Sequence, residues 1–504
     1  MSWLELRNAV RAPLERVPRH DFAELSAHLL EAVDRGERVC ALVGWPDGAS
    51  PRGGTRDATS APGETELLAV LASDAAGVLR AARGVVKGRS FPSLTPQCPQ
   101  LHLFERELAE TCGLEPIGHP WLKPVRFTRA SAGIGAMDFY RVEGDEVHEV
   151  AVGPVHAGVI EPGHFRFQCH GKEVLHLEIS LGYQHRGVER ALVAGDPRRR
   201  MHYAETLAGD TSVGHALAAA QAIEGLAGRA ASPRAEAIRG IALELERLAN
   251  HTGDLGALAG DVGFLPTAAF CGRLRGDWLN LTAAICGSRF GRGLVRPGGV
   301  GFDLEPERAE SLQARAAAAL HDVEPAVELL WSTPSVMSRF EETGRLASHD
   351  AAALGLVGPA ARASDLARDV RSDFPSGIFR FAQLARAHAD SGDVFARAYL
   401  RWLEIQRSAA FVLEQLAHLP GGALRTSCAT LAPQHLCVSL VEGWRGEICH
   451  VVRTGAAGEI TGYKVVDPSF HNWMGLALAL RGQQISDFPL CNKSFNLSYC
   501  GFDL

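Results

Sequence analysis

Four long stretches repeat apolar residues at helical spacing, and they constrain the architecture more than any other feature of the chain. Residues 233–258 have no proline after the first position and carry Ile238, Ile241, Leu245, Leu248 and Leu255 on one face. Ser232 followed by Pro233 suits an N-cap and first helical position. Residues 267–290, 305–331 and 393–416 predict further long helices, with Arg296-Pro297-Gly298-Gly299 breaking the chain between two of them. Helices of this length need one another's apolar faces, so the second part of the chain is expected to be mainly helical.

The first part has another texture. Residues 1–40 read as helical, with Leu4, Val10 and Leu14 on one face and Leu25, Leu29, Leu30 and Val33 on another. Short apolar runs at 39–45 and 66–72 flank a turn-rich stretch, and residues 75–86 read as a helix. A small α/β unit over 1–127 is expected, then a Gly/Ala/Ser-rich linker at 128–146, then a second domain over 147–504. Within the second domain, 147–152, 164–169, 173–179, 447–453 and 460–466 read as short strands, and a helix lies around 473–480. The fold class expected is α+β: an N-terminal α/β docking domain, then a mainly helical domain with peripheral β hairpins.

Charge and cysteine usage exclude several functions. With 51 Lys+Arg against 58 Asp+Glu the net charge is −7, and no basic block offers a nucleic-acid surface. The longest uncharged run, 426–441, is 16 residues and contains Pro433, whereas a spanning helix takes about 20 apolar residues. The N-terminus has no apolar signal core. Eleven cysteines stand at least nine residues apart, so there is no C-x-x-C loop for zinc or an iron–sulfur cluster, and the odd number argues against a disulfide framework.

Six ordered stretches carry the candidate chemistry. FPSLTP at 91–96 runs into FERELAETCGL at 104–114 and GHPWLKP at 118–124. By itself Glu105-Arg106-Glu107 with Glu110 reads as a solvated amphipathic helix. GPVHAGVIEPGHFRF at 153–167 continues to LGYQHRGVE at 181–189. Six histidines fall between His148 and His185, with spacings that fit no compact metal-ligand set; a hairpin loop holding His156, Glu161 and His164 near a cavity is expected instead. LAGDTSVGHALA occupies 207–218. ELERLANHTGDLG at 244–256 puts Glu244, Arg247 and His251 at three- and four-residue steps on one helix face. EGWRGEICH at 442–450 and SYCGFDL at 498–504 complete the set.

Over about residues 65–504 these strings resemble the complex I-related branch of the nickel–iron hydrogenase large subunits. That branch includes the membrane-bound and formate hydrogenlyase-type enzymes and the quinone-site subunit of respiratory complex I. The 91–124 strings resemble the small hydrophilic subunit of complex I, here fused ahead of it. The resemblance implies a proton-handling role for Glu161, an arginine over the centre at Arg445 (with Trp444 in place of the usual proline), and a retained histidine at His215. It further implies that Glu244, Arg247 and His251 face a buried cavity and that His156 is the nearest match to the hairpin-loop histidine that faces the quinone headgroup in the complex I relatives.

The four cysteine ligand positions of that family fall on Ala208, Thr211, Leu497 and Cys500. Only Cys500 offers a thiol, and a nickel–iron pair is built on soft thiolates. The expectation is therefore an oxidoreductase subunit without its own nickel–iron centre or other resident cofactor, with a quinone as candidate acceptor. Its expected partners are an iron–sulfur subunit of the hydrogenase small-subunit type and antiporter-like membrane-arm subunits. The resemblance implies a cytoplasmic chain bound peripherally to the inner membrane through those partners. Two alternatives remain: a structural docking subunit, and a hydrogenase or formate hydrogenlyase large subunit with an altered metal site.

Overall fold

Ser232 accepts a hydrogen bond from Ala235 N and opens the longest helix of the molecule, Pro233–Asp261. In the computed structural model, which describes residues 2–46, 63–128, 135–156, 158 and 160–504, this helix is the axis of the interior. Leu265–Cys286 and Val394–Ala417 pack along it, and Pro306–Trp331 closes the layer against both of those. Gly256 is where two helices come closest, since a Cβ there would stand 2.8 Å from the Cys271 Cβ. The four helices predicted from periodicity are thus present, and Ile238, Ile241, Leu245, Leu248 and Leu255 all lie in one buried cluster.

A four-stranded antiparallel sheet packs on the helix Ser212–Ala227, in the spatial order Ile460–Val466, Gly446–Thr454, His435–Gly443, Arg11–Pro13. Nearly every residue of the two middle strands is buried, so this hairpin runs through the interior. The outer hairpin, His164–His170 with Glu173–Ser180, extends to Val147–Val152 as a three-stranded meander. A five-stranded sheet in the first part orders Leu4–Leu6, Val78–Lys87, Glu64–Ser73 and Arg38–Pro46 antiparallel, with Arg19–Asp21 parallel to Val78–Lys87. The architecture is α+β, as the sequence predicts.

Two local readings are corrected. Residues 1–40 are not helical throughout: three short strands occupy Leu4–Leu6, Arg11–Pro13 and Arg19–Asp21, and the helix is Phe22–Asp34, opened by the Asp21 carboxylate on Glu24 N. Pro13 and Pro18 break the helical register, and the pairing partners lie at 79–85 and 435–437, far outside any local window. Residues 75–86 form a turn at Gly77 (φ +64°) followed by the strand Val78–Lys87. That strand pairs with three others, and this tertiary pairing overrides the helical propensity of its alanines.

The N-terminal segment is stitched to the remainder by buried charges. Arg38 donates to Glu447 at 2.7 and 2.5 Å, and Glu107 holds both Arg126 and Lys464. Glu105 accepts from Ser93 Oγ, Leu94 N and Thr95 Oγ1. The Leu103–Leu108 face of the His102–Cys112 helix is therefore buried rather than solvated, contrary to the reading of its charges alone.

Candidate functional site

Gly443 and Gly446 pair directly across the central hairpin, leaving Trp444 and Arg445 as its two-residue turn. The turn lies on the backbone of 357–358: a Cβ on Gly446 (φ +130°) would stand 2.7 Å from the Gly358 Cα, and one on Gly358 (φ +67°) would strike Arg445 O. Only glycine allows this approach at both positions. It fixes the direction in which Arg445 leaves the sheet.

Arg445 binds Asp210 through two parallel hydrogen bonds, Nη1 to Oδ1 at 2.5 Å and Nη2 to Oδ2 at 2.7 Å. Its Nε donates to Asn496 O at 2.5 Å, and its guanidinium stacks on Trp444 with 3.9 Å to the ring centroid. Burial would raise the Asp210 carboxyl, but the Arg445 charge and hydrogen bonds outweigh it and hold the group below the usual carboxylate range. Asn496 donates to Asp254 at 2.6 Å, and Arg401 donates to the other oxygen of Asp254 at 2.9 Å, tying the turn to two long helices.

His215 stands one turn into the Ser212–Ala227 helix and is fully buried. Its Nε2 is 3.0 Å from Asp467 Oδ2 and its Nδ1 is 3.2 Å from His450 Nε2. His450 Nδ1 lies 2.9 Å from the Tyr463 hydroxyl. Asp467 also caps Pro468–Ala479 by accepting from Ser469 N.

Of the four positions that the resemblance matches to cysteine ligands, Thr211 touches this turn. Ala208 and Leu497 are packed in the interior and carry no donor atom. Thr211 Oγ1 accepts from Trp444 Nε1 at 3.1 Å and Arg445 Nη1 at 3.2 Å and gives its hydrogen to Asp210 at 3.1 Å. The Cys500 thiol lies beside Ser498 Oγ and the Glu161 carboxylate, and burial with the Glu161 charge pushes it up to about 11. A neutral thiol and three engaged or apolar side chains do not fit a nickel–iron pair, which needs thiolates. Among the described residues no cluster of three His, Cys, Asp or Glu side chains has metal-binding geometry.

The remaining predicted residues divide between two places. On the outer hairpin, Glu161 accepts weakly from Tyr499 N at 3.4 Å and thereby faces the Cys500 segment. His156 Nε2 bonds Gly163 O at 3.1 Å and closes the loop on itself; Ala157 and Val159 lie outside the described residues. His164 packs edge-on to Phe139 instead. A cavity of about 50 Å³ does adjoin the hairpin, lined by Arg106, Trp121, Leu177, Trp473 and Phe502 among others, and none of His156, Glu161 and His164 lines it.

Glu244, Arg247 and His251 share one face of the Pro233–Asp261 helix, as spaced, and all three are sealed from solvent. They belong to a buried ionic network. Arg247 binds Glu244 (2.9 Å), Glu404 (3.3 Å) and the carbonyls of Glu442 and Gly443. His251 donates to Glu404 at 2.7 Å, and burial holds its ring neutral. Arg362 joins Glu404 to Glu442, and Arg371 joins Asp369 to Glu244. Arg247, Arg362 and Arg371 thus face the carboxylates of Glu244, Asp369, Glu404 and Glu442. Burial, against the Arg362 charge and with that of Asp369, pushes Glu442 up to about 7. None of the hydrogen bonds of Glu244, Arg247 and His251 reaches Glu161.

Sequence reasoning missed Asp210, Asp467, His450 and Glu404. Arg397, Arg401 and Glu404 recur at four- and three-residue steps among apolar neighbours, a signal of a buried charged stripe.

With this geometry established, comparison with known proteins locates the chain. Residues 261–503 match the family model described as the respiratory-chain NADH dehydrogenase 49 kDa subunit. Formate hydrogenlyase subunit 5 of Escherichia coli is 29% identical over 438 residues, covering 81% of this chain and 76% of that protein. NADH-quinone oxidoreductase subunit 4 of Thermus thermophilus is 30% identical over 370 residues, covering 68% and 90%. The membrane-bound hydrogenase subunit alpha of Pyrococcus furiosus is 27% identical over 366 residues, covering 69% and 85%.

Proposed function

The chain belongs to the complex I-related hydrogenase large-subunit family, as a 49 kDa-type subunit, and from that membership we propose the role of its altered centre. In this reading it is the peripheral-arm subunit of a membrane-associated oxidoreductase, where it forms an acceptor pocket of the quinone type without a nickel–iron centre. Electrons come from an iron–sulfur partner of the hydrogenase small-subunit type, and membrane-arm antiporter-like subunits use the coupling. No helix among the described residues is long and apolar enough to cross a membrane, so attachment at the inner membrane falls to those partners.

The observation that carries this reading is the Arg445–Asp210 pair. It closes the place where the 207–211 and 497–500 segments converge, and it leaves Glu161 and Cys500 side by side at the edge. A fixed guanidinium stabilises negative charge developing on a bound acceptor, and a carboxylate beside it supplies or takes the accompanying proton. His156 keeps the Glu161 loop folded through its bond to Gly163 O. The buried Glu244–Arg247–His251 network holds the central hairpin from behind through the carbonyls of 442 and 443.

Arg445→Met in the assembled complex tests the reading. Electron transfer falls at least about tenfold while the subunits still copurify. An unchanged rate overturns it and supports a docking subunit with no redox part, a reading favoured by how completely Glu244 and Glu404 are paired.

A further inference from the structure

Tyr463, His450, His215 and Asp467 form one unbranched row through the interior, with steps of 2.9, 3.2 and 3.0 Å. All four are buried, with Tyr463 at the far end. The hydrogen placement follows from donor and acceptor capacity. Asp467 is held ionised: burial would raise it, but the His215 contact and the Arg445 charge outweigh that. An ionised carboxylate only accepts, so His215 Nε2 carries hydrogen. A ring that carries its one hydrogen at Nε2 accepts at Nδ1, and His450 Nε2 then donates to it. His450 Nδ1 accepts in turn, and the Tyr463 hydroxyl donates. All three hydrogen bonds point the same way, toward the carboxylate beside the Arg445 turn.

We propose that this row is a proton conduit from the Tyr463 end of the fold to the Arg445–Asp210 pair, with His450, Tyr463 and Asp467 as its positioning residues. A proton from water arrives at Tyr463 Oη, and the phenol passes its own hydrogen to His450 Nδ1. The His450 Nε2 hydrogen moves to His215 Nδ1, and the His215 Nε2 hydrogen moves to Asp467 Oδ2. One proton is gained at Asp467, both rings end in the opposite tautomer, and no electron moves. Return of the rings to their first tautomer resets the row.

The groups facing the row agree with this direction. The Arg445 charge acts on Asp467, and Ser469 N and His215 supply its hydrogen bonds. At the other end Arg200 and the Cys437 thiol adjoin Tyr463. Burial holds the His450 ring well below the ordinary imidazole value, as a relay ring requires. The conduit rests on the reading of the pocket as a proton-coupled acceptor site, whereas the order of the row does not.

The test uses the full chain labelled with 15N-histidine, with His215→Gln and His450→Gln assigning the signals. Both rings are expected as Nε2–H tautomers at pH 8, and His450 as the Nδ1–H tautomer overturns the order. In deuterium oxide, exchange of the His215 Nε2 hydrogen is expected to slow at least about tenfold in Tyr463→Phe, which removes the entry hydroxyl and little else. An unchanged exchange rate overturns the conduit. Neither readout needs electron transfer, so either can fail with the acceptor-pocket reading intact, and loss of that reading leaves both unchanged.

Discussion

Arg445 meets Asp210 end to end, two nitrogens to two oxygens at 2.5 and 2.7 Å, across the gap between a hairpin turn and the segment that leads into the His215 helix. The pair spans the site where the family's cysteines would converge, and a planar fork on a planar carboxylate is the arrangement lysine cannot reproduce. Asp210→Asn and Arg445→Lys are each expected to lower stability by about 1–2 kcal/mol, because Asp210 is a third exposed and its attraction partly screened. The double variant should cost clearly less than the sum of the two. Denaturant unfolding of all four proteins checks this, and strict additivity would show that the pair is not coupled.

The turn depends on two glycines in backbone contact. Gly358→Ala puts a methyl group against Arg445 O at a φ of +67°. A loss of about 2–3 kcal/mol is expected, with Arg445 displaced from Asp210. Thermal unfolding reads the first effect. Loss of the Asp210 coupling in a double-variant cycle reads the second; full retention of coupling would contradict the geometry.

Glu246 gives a pH signature. Burial pushes its carboxyl up to about 8, against hydrogen bonds from Val213 N and Gly214 N that pull it down. A carboxyl raised on folding holds its proton more tightly in the native state. Its contribution is therefore intact below the unfolded value near 4.5 and is lost as pH rises toward about 8. Glu246→Gln cannot ionise, so its stability relative to the parent should climb across that window, by about 1.4 kcal/mol per pH unit at the steepest. Parallel denaturation curves at pH 5, 6, 7 and 8 measure it, and a flat difference would refute the assignment.

Glu404 accepts from Arg362 and His251 and pairs with Arg247, in a region without water contact. Glu404→Gln strands buried positive charge and should cost about 3–5 kcal/mol. Glu149→Gln, at the partly exposed pair with Arg166, should cost under about 1 kcal/mol. Comparable losses at the two positions would show that the inner network is open to solvent.

What the sequence made legible follows from how local each cause is. The helices at 233, 265, 306 and 394 declare themselves through period and caps, because a helix is held by bonds within a few residues. The strands at 4–21 are obscured because their partners lie tens to hundreds of residues away, whereas 78–87 pairs with the adjacent 64–73 strand and is obscured by the helical propensity of its alanines. At the centre, ordered motifs pointed to Glu161, Arg445 and His215, and the loss of cysteines at 208, 211 and 497 was plain. Asp210 lies inside one of those motifs yet acquires its meaning only when the 443–446 turn delivers Arg445 onto it. Glu244, Arg247 and His251 share a face as their spacing required, but their partners Glu404, Arg362 and Arg371 come from remote segments.

The most direct measurement of the central claim is the rate of electron transfer through the assembled complex carrying Glu161→Gln. The substitution keeps the size and polarity of a side chain held by a 3.4 Å contact to Tyr499 N and by the neighbouring Cys500 thiol, so assembly should persist. If the pocket couples acceptor reduction to a proton at Glu161, the rate falls at least about tenfold with all subunits present. A rate equal to that of the parent complex would contradict the account and leave the chain a docking subunit.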